Sequence, residues 1–146
     1  MRILYLLLLT LSACASPSIA IAIGQGNSSG MREMTIASGE SIWDNLRYRG
    51  SAGVWAGGPG LGAIYGSYQL GWAVDSGPVT LSLYSGPALI SSTDQLLGSY
   101  LEFASEVHAD FRNEDGYLGV FYRHMSDAGL TSINVGRDVV GLEIGL

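Results

Sequence analysis

The sequence predicts an all-β protein, a small antiparallel transmembrane β-barrel of about eight strands. Three observations favour this fold. The chain begins like an exported protein, short segments of alternating polarity are separated by turn-forming residues, and apolar side chains share one face of each segment. In a membrane barrel the apolar face lies outside, whereas a soluble barrel reverses this arrangement. A soluble exported β-sandwich that binds a ligand would show similar alternation and is kept as an alternative.

The composition limits the classes of function. The 146 residues are enough for one domain, and charged residues make up only 14% of them, against roughly 25% in an ordinary soluble domain. The net charge is −6 and all seven basic residues are arginines, with no basic run. A nucleic-acid binder needs a patch that neutralises phosphates, so no nucleic-acid partner is expected. With one cysteine and two histidines, the sequence predicts neither a disulfide nor a metal site.

Residues 1–20 are predicted to form a signal peptide. Its apolar run is nine residues long, far short of the ~20 residues that a spanning helix needs. Cleavage after Ala20 is one prediction, and a lipobox that ends before Cys14 is the alternative. In either case the protein is exported, and we expect residues 21–146 to form a single β-barrel domain.

The clearest predicted strand covers residues 100–112, where one parity is apolar and the other is mostly charged. A turn is predicted at residues 113–116. The other strands are predicted at 19–25, 31–42, around Val54 and Trp55, at 61–74, around 79–84, at 117–126 and at 138–146. Trp43, Trp55 and Trp72 are predicted near strand ends, where aromatic belts of membrane barrels lie.

His124 and Ser126 are two residues apart on one strand, so their side chains project from the same face. Their parity is that of Val120, which the barrel prediction places towards lipid, and Asp138 shares the outward parity of Val140. Polar groups on a lipid face are costly unless function requires them. A serine needs a base to become a nucleophile, and a carboxylate can orient a histidine base. This arrangement is compatible with a catalytic triad that opens towards a membrane-resident substrate. The alternative is that the His-x-Ser pair occurs by chance and that Asp138 solvates a loop.

Three further residues are candidates for other roles. Asn134 could donate its amide to a developing oxyanion. Arg137, in the same connection, is predicted to be a solvated loop arginine, with a contact to a phosphate group as the alternative. His108 has the interior parity of its charged neighbours on the strand and is assigned to a polar network rather than to the site.

The mature chain resembles the PagL-type lipid A 3-O-deacylases, a family of outer-membrane acyl hydrolases, and the resemblance is specific only near the C-terminus. The likeness is carried by the His-x-Ser pattern of His124 and Ser126, an Ala-Gly-Leu segment at 128–130, and then Asn134 and Gly136. An acidic residue follows the histidine by 14 positions. Two positions depart from the family: Asp138 stands in place of the usual glutamate, and Asp127 follows the serine where asparagine is usual.

The resemblance implies an outer-membrane barrel of eight strands with its active site on the outer surface. Ser126 would attack the ester-linked 3-hydroxyacyl chain at the 3-position of lipid A, His124 would act as the base and Asp138 would orient it. Asn134 would contribute to the oxyanion hole. The matched positions Asp127 and Gly136 are further candidates for oxyanion or substrate binding.

The resemblance implies no cofactor and no metal. It implies lipid A or lipopolysaccharide as the substrate and partner. A homodimer is compatible with the sequence but is not required by it. A small outer-membrane barrel with a structural or adhesive role and no catalysis remains the alternative function.

Overall fold

The computed structural model describes residues 18–26, 32–56, 62–94, 96–132 and 135–146. Eight antiparallel strands follow one another around a closed barrel, because each strand pairs with its neighbours in sequence and the first also pairs with the last. The predicted all-β barrel of eight strands is confirmed. The strands are β1 (Ser18–Gly26), β2 (Arg32–Trp43), β3 (Leu46–Ala56), β4 (Ala63–Ser76), β5 (Val79–Ile90), β6 (Leu101–Asn113), β7 (Gly116–Ser126) and β8 (Arg137–Gly145).

The outer wall of the barrel is apolar and the lumen is polar, as the parity of the sequence predicts. On β6 the side chains of Leu101, Phe103 and Val107 are exposed on the outside, whereas Glu102 and Glu106 are fully buried inside. Exposed leucine, isoleucine, valine and aromatic side chains occur on all eight strands. This is the reverse of a soluble barrel and suits a wall that contacts lipid.

Arg123 lies at the centre of the lumen and is paired with two carboxylates. Its Nε atom donates to Glu106 at 2.8 Å, and its Nη1 atom contacts Glu33 and the hydroxyl group of Tyr65. The Arg123 side chain is 1% exposed, and those of Glu33 and Glu106 are 0% exposed. A barrel of eight strands has an interior just wide enough to be filled by side chains, and paired charges fill much of this one.

A second buried cation extends the same network. Arg49 lies 3.2 Å from Glu106 and donates to Glu143 at 3.1 Å. The Nε2 atom of His108 lies 2.8 Å from Glu106, and the hydroxyl group of Tyr117 also donates to Glu143, at 2.5 Å. The interior polar network predicted for His108 is therefore confirmed.

Trp55 does not belong to an aromatic belt, and that prediction is wrong. It is 2% exposed, points into the lumen, and its indole N–H donates to Glu33 at 2.6 Å. Its ring stacks on Tyr65 with the centroids 4.8 Å apart. The acceptor and the stacking partner inside the barrel explain why this aromatic residue is not on the outer wall. Trp43 and Trp72, in contrast, are exposed on the outside.

The two ends of the barrel differ in the length of their connections. At one end, termed the turn end, the connections at 44–45, 77–78 and 114–115 have two residues each. The predicted turn at 113–116 is one of them, and the side chain of Asn113 accepts hydrogen bonds from the N–H groups of Asp115 and Gly116. At the opposite end, termed the loop end, the connections have five to ten residues.

The first strand begins within the predicted leader. Ser18 pairs with Gly39, and Ala20 pairs with both Ala37 and Gly145. Cleavage after Ala20 would therefore remove the first three residues of β1, whereas cleavage before Cys14 would leave the strand whole. Cys14 lies outside the described residues, and both cleavage sites stay predictions. Within the described part of the chain, no helix is long and apolar enough to cross a membrane.

Candidate active site

His124 and Asp138 form a hydrogen-bonded pair on the outer wall of the barrel. They face each other across the β7–β8 ladder, and His124 Nδ1 lies 2.8 Å from Asp138 Oδ1. Their side chains are 40% and 39% exposed, so the pair is open to the surroundings of the barrel and not to its lumen. A carboxylate in this position can hold a histidine in the tautomer that carries its proton on Nδ1, which makes Nε2 the proton acceptor.

Ser126 lies two residues after His124 on the same face of β7, at the last position of the strand. Its side chain is half-buried, and across the β6–β7 ladder it faces Phe103. The structure therefore brings a serine, a histidine and an acid onto one outward surface at the loop end of two neighbouring strands. These are the residue types that a serine esterase combines.

Tyr122 completes this group and was not singled out from the sequence. Its hydroxyl group donates to Asp138 Oδ1 at 2.6 Å, the same oxygen atom that His124 contacts. The sequence does contain a signal for Tyr122, since this residue precedes His124 by two positions and shares its outward parity. A tyrosine on the outer wall of a barrel is common enough as a belt residue that parity alone did not identify it.

Gly136 lies directly against the imidazole ring. A Cβ atom at this position would lie 2.6 Å from His124 Cε1 and 3.2 Å from Nε2, and the backbone has a φ angle of +81°. Its N–H group donates to the carbonyl oxygen of Leu96 at 3.1 Å. Gly136 thus lies beside the imidazole with its N–H group bound to Leu96, and its predicted oxyanion or substrate contact stays a prediction.

Asp127 caps its own loop. Its carboxylate accepts hydrogen bonds from the N–H groups of Gly129 and Thr131, both at 2.9 Å, and from the hydroxyl group of Thr131. The Thr131 hydroxyl and these N–H groups hold the pKa of Asp127 below its usual value. The carboxylate is thus engaged by its own loop, and the predicted oxyanion or substrate contact of Asp127 stays a prediction.

Asn134 and Arg137 are the two remaining candidates near the connection between β7 and β8. Asn134 lies outside the described residues, so its oxyanion role stays a prediction. Arg137 is 7% exposed, contacts Asp94, and lies with its guanidinium carbon 4.5 Å from the centre of the Trp55 ring. It points into the mouth of the barrel, so the prediction of a solvated loop arginine is wrong, and the alternative contact with a lipid phosphate stays a prediction.

The loop between β5 and β6 supports the start of β8 from within. The Asp94 carboxylate accepts hydrogen bonds from the N–H groups of Leu96 and Leu97, at 2.8 and 3.0 Å, and it also contacts Arg137. Leu97 is 1% exposed and packs in the barrel mouth. This loop therefore holds the start of β8, where Asp138 lies, through the contact with Arg137 and through the hydrogen bond from Gly136 to Leu96.

Among the described residues, no group of three or more histidine, cysteine or acidic side chains could hold a metal ion.

An eight-stranded barrel with a lipid-compatible outer wall, two-residue turns at one end and longer loops at the other is the architecture of a bacterial outer-membrane protein. The sequence model described as lipid A 3-O-deacylase (PagL) matches residues 32–146. The chain belongs to this family, and it is a protein of the outer membrane. The resemblance found in the sequence is thereby confirmed.

Solved structures show the same fold. A chain described as the crystal structure of the outer membrane enzyme PagL superposes with a TM-score of 0.69 at 22% identity, covering 88% of this chain and 98% of that one. A de novo designed transmembrane β-barrel superposes with a TM-score of 0.62 at 7% identity, covering 92% and 98% of the two chains. No curated protein sequence matches the chain.

Proposed function

We propose that the protein is a serine esterase that removes the ester-linked 3-hydroxyacyl chain from the 3-position of lipid A. The family is that of lipid A 3-O-deacylases. The observation that carries the proposal within this chain is the hydrogen-bonded pair of His124 and Asp138 on a wall that faces lipid. His124 is two residues from Ser126 on the same strand. A site with this orientation is reached by a substrate that diffuses in the membrane.

The position of the proposed catalytic residues along the barrel axis supports the same substrate. Outer-membrane barrels place short turns in the periplasm and longer loops outside the cell. Ser126 and Asp138 lie at the loop end of their strands, which supports a position on the outer-leaflet side. Lipid A resides in that leaflet, with its sugar ring at the surface and its acyl chains pointing towards the midplane.

In the proposed reaction, Ser126 Oγ attacks the ester carbonyl carbon while His124 Nε2 takes the hydroxyl proton. Asp138 holds the imidazole through Nδ1 and stabilises the charge that forms. The tetrahedral intermediate expels the sugar 3-oxygen, which receives the proton from Nε2, and an acyl group remains on Ser126. A water molecule, deprotonated by the same nitrogen atom, then releases the 3-hydroxy fatty acid and restores the serine.

The developing oxyanion requires hydrogen-bond donors next to Ser126. We assign the side-chain amide of Asn134 to this role, together with the backbone N–H of Asp127, whose carboxylate is turned into its own loop. Gly136 contributes by leaving room for the imidazole. The Asp138 carboxylate is one methylene shorter than glutamate, and the 2.8 Å contact supports its ability to reach the histidine from the backbone position it occupies.

The test is mass spectrometry of lipid A from a Gram-negative strain that expresses the chain. The parent protein should remove one 3-hydroxyacyl group from lipid A, and Ser126→Ala should leave lipid A intact. Ser76→Ala, at the turn end, is the matched control and should behave like the parent. Intact lipid A with all three proteins present in the outer membrane would contradict the proposal and favour a non-catalytic barrel.

A further inference from the structure

A row of polar side chains crosses the outer wall next to the proposed triad. Asp138 on β8 pairs with His124 on β7, His124 pairs with Ser105 on β6, and Ser105 pairs with Ser85 on β5. Adjacent strands are ~4.8 Å apart, so the row extends from His124 by about 10 Å to Ser85. On β4 the next partner of Ser85 is Leu70, and there the row ends.

The two serines occupy a position where polar groups are costly. Ser85 and Ser105 lie in the interior of their strands, away from the strand ends. The outward side chains immediately above and below them are apolar, namely Leu83, Pro87, Phe103 and Val107. A hydroxyl group in the apolar band loses its hydrogen bonds to water, which disfavours it unless a partner replaces them.

The serines satisfy each other only in part. Their Oγ atoms are 3.0 Å apart and form one hydrogen bond. Each hydroxyl group has one donor and two acceptor positions, so the bond uses one of the two available donors. One O–H donor and further lone pairs are left over after this bond, which gives the pair the capacity to bind one more hydroxyl group.

The row lies deeper in the membrane than the nucleophile. Ser126 faces Phe103, which is two residues from Ser105 towards the loop end, a distance of about 7 Å along the strands. An acyl chain whose carbonyl carbon is at Ser126 Oγ and whose tail points to the midplane passes the level of Ser105. In a 3-hydroxyacyl chain, the hydroxyl group is attached two carbons beyond the carbonyl, on the part of the chain that approaches this level.

We propose that Ser85 and Ser105 form a subsite that binds the 3-hydroxyl group of the acyl chain whose ester is cleaved at Ser126. The inference rests on the proposed function, and it adds that the enzyme recognises the 3-hydroxyl group of the chain that it cleaves. The apolar neighbours exclude water from the subsite. The serine pair therefore favours a chain that carries a hydroxyl group over one that does not.

The experiment compares two lipid A substrates that differ only in the 3-hydroxyl group of the cleaved chain, each in detergent micelles with the purified barrel. The parent should have a higher kcat/KM for the hydroxylated lipid. The double variant Ser85→Ala/Ser105→Ala should lose about 3- to 10-fold on that lipid, the range of one neutral hydrogen bond, and nothing on the other. Equal losses on both lipids, or no loss, would overturn the subsite.

A matched control lies inside the barrel. Ser51 and Ser67 are also cross-strand partners whose hydroxyl groups are hydrogen-bonded, at 2.7 Å, but they are buried in the lumen. Ser51→Ala/Ser67→Ala removes the same chemical groups and should leave the preference between the two lipids unchanged. If this control shifts the preference as much as the outer pair does, the effect comes from the stability of the barrel and the subsite is overturned.

A binding measurement separates this inference from the proposed reaction. In a Ser126→Ala background, the affinity of the barrel for the two lipids is measured without turnover. Tighter binding of the hydroxylated lipid, abolished by the Ser85→Ala/Ser105→Ala change, supports the subsite even if the parent cleaves neither lipid. Equal affinity for the two lipids would overturn it, whatever the catalytic result.

Discussion

Asp138 lies directly across the β7–β8 ladder from His124, with its Oδ1 atom 2.8 Å from His124 Nδ1. The contact is thus set by strand register and not by a flexible loop. A slip of one residue would turn every side chain of β8 to the opposite face and carry the carboxylate into the lumen. The buried Val139 and Glu143 oppose such a slip, so the packing of the lumen holds the outer pair in place.

Tyr122→Phe should reduce kcat while leaving KM nearly unchanged. The tyrosine hydroxyl group donates to the oxygen of Asp138 that also contacts His124, so its loss frees the carboxylate to rotate. The expected reduction is about 3- to 10-fold, corresponding to one hydrogen bond. The control is Tyr117→Phe, which removes a similar hydroxyl–carboxylate contact in the lumen. An equal effect of both changes on kcat would contradict a role for Tyr122 at the site.

Gly136→Ala should lower activity far more than Gly129→Ala. Both glycines have left-handed backbones, with φ angles of +81° and +83°, so alanine is similarly strained at either position. Only at Gly136 would the added Cβ atom meet the imidazole ring, whereas at Gly129 it meets nothing within 4 Å. Steady-state hydrolysis of lipid A by the two folded variants measures the difference. Equal activities would show that displacement of His124 does not limit the reaction.

Arg123→Met should lower the free energy of unfolding by about 3–5 kcal/mol, because it leaves the buried Glu33 without its cation and Glu106 with Arg49 alone. The arginine side chain is 1% exposed and contacts Glu33 and Glu106. Arg47→Met is the control, since its pair with Asp75 is partly exposed at the turn end and should contribute at most about 1 kcal/mol. Denaturant unfolding in lipid vesicles measures both. Similar losses would argue against the lumen network as the main source of stability.

Acidification should loosen the loop that begins at Asp127. Hydrogen bonds from Thr131 hold the pKa of this carboxyl below its usual value. The stabilisation is therefore complete above the pKa of the unfolded chain and is lost as the pH falls through the lower folded value. NMR titration of the Asp127 carboxyl follows its protonation, and amide exchange at Gly129 and Thr131 follows the loosening of the loop. In Thr131→Val the titration should move to higher pH, and an unmoved titration would show that the threonine hydroxyl does not lower this pKa.

The fold could be predicted from the sequence because its main determinant is the alternation of apolar and polar residues along each strand. Once apolar residues are placed outside, the parity of β7 and β8 puts His124, Ser126 and Asp138 on the outer wall, and the structure has His124 and Asp138 paired there. Parity also placed His108 in the lumen. The limits of the last three strands were predicted to within one residue, since a turn or connection on each side marks them.

Other features depend on contacts between residues distant in sequence, which a pattern does not contain. Trp55 lies inside because Glu33 and Tyr65 offer it an acceptor and a stacking partner. Arg137 turns into the barrel mouth because Asp94, on another loop, is there to pair with it. The supporting contact of Tyr122 with Asp138 depends on the relative register of two strands. None of these pairings follows from alternation within a single strand.

The most direct test of the proposed mechanism is to find which side chain carries the acyl group during turnover. Purified barrel is mixed with lipid A, quenched in acid within the first turnovers, digested and mapped by mass spectrometry. We predict a 3-hydroxyacyl group on Ser126, absent in His124→Ala. Ser105 is the informative competitor, because it faces His124 directly across the β6–β7 ladder. An acyl group on Ser105, or turnover that persists in Ser126→Ala, would contradict the mechanism.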